Sequence, residues 1–449
     1  HVLRRRQRQM FIRDRIDKVE ITEVISGGPA WRDNILEKGD AILKVRQDNE
    51  DEPIGILNMR LSEAVKLIKG KKGTKVHLTV KKVDGTVTEV TVKRDIVLLE
   101  ETYIKSSIVE KDNNTYGLIN IPKFYIDFDN QSNRDAAKDL RTEIERLKEQ
   151  GIQGLVIDLR NNGGGALKTV VDMAGMFIKN GPVVQVKYFD KEKQVLSDRD
   201  RSVLWTGPLV ILVNEGSASA SEILAAAMQD YKRAIIIGGN QTWGKGTVQN
   251  VFPLNRMVRG NTNGDLGALR YTTQKYYRIN GGSVQLEGVK SDINVPYRYK
   301  YLEFGEKDSE NPLQWDEIDK VEFDTWNSNF NFEEAITKSN KRMADNEYLK
   351  LVDENAKWIK SVRDNKLINL NYDKYKLELE ENSSITEKFK ALNDYSMNYN
   401  FKSLPYELDL IKNDSVLGLK RERWHKSLNK DFYIDEALNV LSDLRFSYL

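Results

Sequence analysis

The chain has 449 residues, a formal net charge of +2 and a mean hydropathy of −0.57. A balance this close to neutral gives no bulk field for nucleic acid or an acidic partner, and no apolar run approaches the ~20 residues of a membrane span. The absence of cysteine excludes disulfides, thiolate metal sites and cysteine nucleophiles, and is compatible with an oxidising compartment.

Residues 1–15 are dense in arginine, lack a clear period and show no apolar signal region; a truncated or disordered N-terminal segment is expected there. A compact unit is expected over 16–95. Val19–Val24 alternates and reads as a half-buried strand. Gly27-Gly28-Pro29-Ala30 and Gly39-Asp40 read as turns, the second leading into a strand over Ala41–Val45. Leu61, Ala64, Val65 and Ile68 recur at i, i+3, i+4 and i+7, which predicts an amphipathic helix over 61–69 ended by Gly70. Lys75–Val80 and Thr86–Val92 read as strands around the turn Asp84-Gly85.

Residues 96–300 alternate between strand and helix patterns. Strands are expected at Tyr116–Ile121, Gly154–Leu159, Pro182–Tyr188, Pro208–Val213 and Ala234–Ile237, with helices at Asn133–Gln150, Ala166–Ile178 and Ser219–Tyr231. That alternation predicts an α/β layered core. Over 301–449 the strand patterns fade and Lys/Glu/Asn-rich helical patterns take over, as in Glu333–Lys360, so a mostly helical C-terminal domain is expected.

The chemistry narrows by elimination. The three histidines, His1, His77 and His425, fall at the terminus, on a strand of the small unit and in the helical region. A serine activated by a lysine remains open. The strand ending at Val213 runs through Asn214-Glu215-Gly216 into Ser217-Ala218-Ser219-Ala220-Ser221-Glu222, a strand–turn–helix junction that can expose a hydroxyl at a helix N-terminus. The amide after the nucleophile can then hold an oxyanion. Ser219-Ala220-Ser221-Glu222 is equally a capping box, and the two roles are compatible. Lys245 stands between Gly244 and Gly246, two residues after Trp243. Enclosure of its stem would lower its pKa, whereas the plain alternative is an ordinary turn lysine. Asp158–Gly165 ends an apolar strand in a triple glycine whose N–H groups can bind an anion or oxyanion. It lacks the Gly-Lys-Ser/Thr ending of a P-loop, and a plain strand–helix turn competes.

Taken together, Asp158–Leu167 (DLRNNGGGAL), Gly216–Gln229 (GSASASEILAAAMQ), Asp230-Tyr231, Gly244–Gln249 (GKGTVQ) and Gly288–Ile293 resemble the bacterial tail-specific, or carboxyl-terminal processing, proteases. Gly27–Ala30 with Leu36–Val45 and Leu61–Gly73 resembles the PDZ domain of that family, and the C-terminal region resembles the extra domain of its longer Gram-negative members. The resemblance spans residues 17–449.

The resemblance implies an α/β multidomain fold: a β-rich PDZ module, a ClpP/crotonase-like protease core over 96–300 and a helical domain over 301–449. It implies a Ser-Lys endopeptidase with Ser219 as nucleophile, Ser217 and Ser221 being its local competitors, and Lys245 as general base. Gln249 matches the supporting glutamine, the amides of Ala220 and Gly164 the oxyanion hole, and Glu222, Asp230 and Thr242 supporting positions. No metal or cofactor is implied. The implied partners are proteins or peptides with apolar C-termini and an adaptor protein, and the implied location is the periplasm. Two departures stand out. Gly238–Thr242 is one residue longer than the commonest form, and a glycine-free Arg4–Arg15 stretch stands where the PDZ carboxylate-binding loop belongs. The reading from another class is a non-catalytic PDZ-type peptide-binding scaffold. A β-lactamase-like enzyme has only Ser427-Leu428-Asn429-Lys430 in its favour, without S-D-N or K-T-G.

Overall fold

The computed structural model describes residues 19–21, 29–32, 35–37, 39–95, 103–126, 134–188, 191–258, 260–261, 264, 266–302, 304–327 and 329–446. The arginine-rich lead, the glycines of the Gly27-Gly28 turn and the place of the PDZ carboxylate loop lie outside the described residues. The chain divides into two compact units, one of residues 1–100 with 410–421 and one of 101–409 with 422–449.

The first unit holds a five-stranded antiparallel sheet: β1 (Val19–Glu20), β2 (Ala41–Gln47), β3 (Ile54–Gly55), β4 (Lys75–Lys81) and β5 (Val87–Lys93), in the order β1-β2-β4-β5 with β3 paired to β2. Val76, Leu78 and Val80 alternate inward along β4, as the two-residue period of a strand requires. They meet Ile42, Val45 and Ile56, together with Ala64 of the amphipathic helix α2 (Leu61–Ile68). Where a turn was expected at Pro29-Ala30, a short helix α1 (Pro29–Arg32) forms instead. Proline suits that first helical position, because its fixed φ is already helical and its missing N–H would have had no partner.

The second unit is built on a seven-stranded sheet. Its strands are β6 (Lys105–Lys111), β7 (Asn114–Asn120), β8 (Gly154–Asp158), β11 (Leu209–Val213), β12 (Ile235–Gly238), β15 (Ile293–Asn294) and β16 (Asn400–Lys402), ordered β15-β12-β11-β8-β7-β6-β16. The run from β7 to β15 is parallel, and β6 and β16 are antiparallel additions at one edge. The strands β9 (Gly181–Tyr188), β10 (Gln194–Asp198), β13 (Thr247–Pro253) and β14 (Ala268–Tyr277) form a second, antiparallel sheet ordered β10-β9-β14-β13.

Both faces of the seven-stranded sheet are buried, which explains why β8 and β11 read as unbroken apolar runs. On one face Ile119, Ile157, Ile211 and Ile236 pack with Leu140 and Ile144 of α3 (Ala136–Glu149), Val170 of α4 (Leu167–Ala174) and Leu224 of α5 (Ala220–Asp230). The other face is covered by the C-terminal region. Its helices are α6 (Phe332–Ala344), α7 (Glu347–Asp364), α8 (Tyr372–Lys388), α9 (Pro405–Asn413), α10 (Ser415–Leu428) and α11 (Phe432–Phe446). Val156, Val210, Leu212, Ile235 and Ile237 share a core with Leu438, Val440, Leu441 and Leu444 of α11 and with Met343 of α6. Through α6, α7 and α11 the region beyond 301 therefore contributes a second helical layer to the α/β core, and it supplies the edge strand β16.

Leu441 is fully buried and lies over Gly154, where a Cβ would meet its side chain at 3.2 Å. Leu441→Ala is expected to destabilise the second unit by about 2–5 kcal/mol through lost contacts and the cavity left behind. A fall in its thermal unfolding midpoint is the expected observation.

Candidate active site

Three neighbouring parallel strands, β8, β11 and β12, deliver three loops at their carboxyl ends, where open α/β sheets place their sites. β8 runs into Asp158–Ala166, β11 into Asn214–Ser219 and β12 into Gly239–Gly246. The triple-glycine motif, the serine cluster and Lys245 are brought together because the sheet sets those strand ends side by side.

The nucleophile turn distinguishes its three serines. Ser217 and Ser221 are fully buried. The Ser217 hydroxyl donates to Leu159 O (2.9 Å) and accepts from the Asn214 amide (3.0 Å). The Ser221 hydroxyl donates to Asn162 O (2.8 Å). Ser219 alone of the three is partly exposed. It is the N-cap of α5, with φ +58° and ψ −113°. A non-glycine residue there is strained, and such strain gathers at functional turns where the surrounding bonds enforce it. The enforcing bonds are visible. Asn162 O accepts from the Ala218 amide, and the Asn161 amide donates to Asn214 Oδ1 at 2.8 Å. Asn214 Nδ2 returns a bond to Asn161 Oδ1 at 2.9 Å.

Glu222 is the hub. Its side chain is fully buried, and its two oxygens accept from four close donors. Oε2 takes the amides of Ser219 (2.7 Å) and Lys245 (3.0 Å). Oε1 takes the Gly244 amide (2.7 Å) and the Thr242 hydroxyl (2.6 Å). Burial pushes the Glu222 carboxyl above its ordinary range, and these donors pull it back. The expected capping box is therefore present in its carboxylate half, and the same carboxylate also grips the loop that carries Lys245. Thr242 is itself buried and accepts from the Val289 amide at 2.7 Å. In the loop before it, Asn240 is exposed and accepts from Asn294 Nδ2 at 2.7 Å.

Lys245 is half-buried. Burial lowers its pKa, and the nearby positive charge of Arg270 lowers it further. Its Nζ meets Gln249 Oε1 at 3.5 Å, so these two residues lie together; among the described residues no hydrogen bond joins Nζ to a serine hydroxyl. Tyr276, on β14, brings its hydroxyl to Lys245 O (2.6 Å) and Ser219 O (3.2 Å). It is a positioning residue the sequence reading missed, because the β13–β14 hairpin had no clear period. Trp243, two residues before Lys245, bonds through its indole N–H to Glu306 (3.2 Å).

Gly164 lies directly against Ser219: a Cβ there would fall 2.8 Å from Ser219 Cβ and 3.1 Å from the Ala220 amide nitrogen. Its φ of +100° also requires glycine. Its own N–H donates to Asn162 Oδ1 at 2.9 Å. Ala220 opens the first turn of α5, where amides have no partner within the helix. Asp230 stands apart from this group. It ends α5, about 16 Å along the axis from Ser219, and is held by Arg278 (2.6 Å) and Asn280 (2.9 Å). No cluster of potential metal ligands occurs among the described residues, and none of their helices is long and apolar enough to cross a membrane.

The fold and the strand-end loops define an α/β multidomain protein with a β-rich module before the core. Three family models match: PDZ domain over residues 6–81, peptidase family S41 over 115–295, and the C-terminal domain of tail specific protease over 299–445. The chain is 36% identical to the tail-specific protease of Haemophilus influenzae over 436 residues, which are 95% of this chain and 58% of that protein. It is 32% identical to the carboxy-terminal processing protease of Bacillus subtilis over 286 residues, 63% of this chain and 54% of that one. Among solved structures it is similar to a photosystem II D1 C-terminal processing protease, at 26% identity and TM-score 0.38, covering 62% of this chain and 68% of that one. The chain thus spans little more than half the length of these two curated relatives. It belongs to peptidase family S41, in the form that carries a PDZ domain and a tail-specific protease C-terminal domain.

Glu222→Gln tests the hub. The amide group places a donor where donors already converge, leaving at least one buried N–H unpaired, a cost of about 1–3 kcal/mol. The expected result is a lower unfolding midpoint, read by thermal melting.

Proposed function

We propose that the chain is a serine endopeptidase in which Ser219 is the nucleophile and Lys245 its general base, acting on proteins held by their apolar C-terminal tails. The observation that carries this reading is the shared carboxylate: Glu222 holds the amides of both Ser219 and Lys245, so the two loops keep one register. Ser219 is also the serine of the cluster whose neighbours have spent their hydroxyls on carbonyls.

In this mechanism neutral Lys245 takes the proton of the Ser219 hydroxyl as Oγ attacks the scissile carbonyl carbon. The carbonyl π bond opens and the oxygen becomes an oxyanion. The Ala220 amide and the Gly164 corner of the glycine loop receive it. Because the Gly164 N–H is held by Asn162 Oδ1, that bond must be shared or released when substrate arrives. As the tetrahedral intermediate collapses, the lysine ammonium returns its proton to the leaving amine and the C–N bond breaks. Water, deprotonated by the same lysine, then hydrolyses the acyl-enzyme. Gln249 Oε1 orients the amine through the cycle, and Thr242 fixes Glu222. The PDZ module would take the substrate's tail as an added strand. The periplasm is the compartment we propose, on the likeness to tail-specific proteases.

Ser219→Ala and Lys245→Ala are each expected to reduce cleavage of an unfolded protein with an apolar tail by about 10³-fold or more, and the double variant to be no worse than either. Wild-type turnover in either single variant would exclude the dyad. Retained tail binding with no fluorophosphonate label at Ser219 would instead favour the scaffold reading.

A further inference from the structure

The loop that carries the triple glycine is tied to the C-terminal helical layer by a partly buried ion triad. Arg160 stands five residues before Gly165. Its guanidinium makes a two-point contact with Asp158, Nε to Oδ1 at 2.9 Å and a second nitrogen to Oδ2 at 2.7 Å. The remaining edge faces Asp431 at 3.0 Å and 2.7 Å. Tyr433 places its ring 5.2 Å from the guanidinium carbon. Side-chain exposures are 15% for Arg160, 9% for Asp158 and 23% for Asp431, so water has limited access to the triad. From this anchor the chain proceeds to Asn161, with φ +61°. That residue bonds Asn214, and Asn162 bonds Ala218, Ser221 and Gly164. A continuous series of short bonds therefore runs from α11 to the residues around Ser219.

We propose that Asp431 is a positioning residue for the peptidase site: by fixing Arg160 it holds the glycine loop against the nucleophile turn, making the C-terminal region part of the active-site assembly. This rests on the Ser219–Lys245 reading above. Asp431 touches neither substrate nor the reacting atoms. Its effect passes through Arg160 and Asn161–Asn162 to the donors that receive the oxyanion, where a misplacement of about 1 Å can cost on the order of 10²-fold in rate.

The decisive variant is Asp431→Asn in the full chain. Asp431 also starts α11, its Oδ1 accepting from the Tyr433 amide at 3.0 Å. Asparagine keeps that acceptor, removes the charge facing Arg160 and sets an amide donor where Oδ2 met the guanidinium. Active sites are counted with a fluorophosphonate, and turnover of the unfolded substrate is expressed per titrated site. The expected result is a fall in kcat of about 10- to 100-fold with KM little changed, partial recovery in Asp431→Glu, and no further loss when Asp431→Asn is combined with Arg160→Gln. Leu441→Ala, which loosens the same helix without reaching Arg160, should keep wild-type turnover per titrated site. Wild-type kcat per site in Asp431→Asn, or a loss confined to the titratable fraction, overturns the proposal. Failure of the wild-type chain itself to be labelled or to cleave would count against the dyad reading instead.

Discussion

A single buried carboxylate sets the geometry of this site. Among the described residues no cation bonds Glu222; its oxygens are satisfied by backbone amides and a threonine hydroxyl from two loops. Taking a carboxylate out of water is expensive, and the cost is met only while those donors stay in place. The nucleophile turn and the lysine loop are thus coupled: displacing either one leaves the carboxylate short of donors. The positive φ of Ser219 belongs to the same constraint, since the bonds of Glu222 and Asn162 over-determine a conformation that serine would otherwise avoid.

Around that hub the sheet does the coarse positioning. The loops after β8, β11 and β12 converge because their strands are neighbours in a parallel sheet. Such a sheet needs both faces covered. Helices α3, α4 and α5 cover one face, and residues beyond 301, chiefly those of α6, α7 and α11, cover the other. That second layer reaches the site at two points, Asp431 on Arg160 and Glu306 on Trp243. The core and the helical region share the apolar cluster on that second face.

Much of this was legible in the sequence. The apolar runs of β8 and β11, their glycine-rich ends and the amphipathic spacing of Leu61–Ile68 are local signals, and the elements formed within a few residues of their expected bounds. Where the reading fell short, the causes were local caps at two helices and tertiary contacts elsewhere. The continuous helical pattern over Glu333–Lys360 breaks at Asp345-Asn346, because the Asn346 side chain caps a new helix at the Leu349 amide. The helix expected to reach Ile178 ends at Ala174, ahead of Gly175. The long β13–β14 hairpin is largely exposed and carries no clean alternation, so it and Tyr276 went unread. The three serines were equivalent locally; only the carbonyls of Leu159 and Asn162, from another strand's loop, separate them. The reach of Glu222 to Gly244 and Lys245 could not follow from a capping-box pattern, which concerns four residues. Nor could the pairing of Arg160 with Asp431, 271 positions apart.

The account depends most on Lys245 accepting the Ser219 proton, which requires a neutral amine. Burial first, and then the charge of Arg270, lower the Lys245 pKa, so its neutral fraction grows from a lower pH than for a free lysine. The most direct measurement is the rate at which a fluorophosphonate acylates Ser219 as a function of pH, in the wild-type chain and in Lys245→Ala. The predicted result is a wild-type rate that rises with pH through one ionisation lying below the ordinary lysine value of ~10.4, with that limb absent from the variant. A rate independent of pH, or the same limb in Lys245→Ala, would contradict the account.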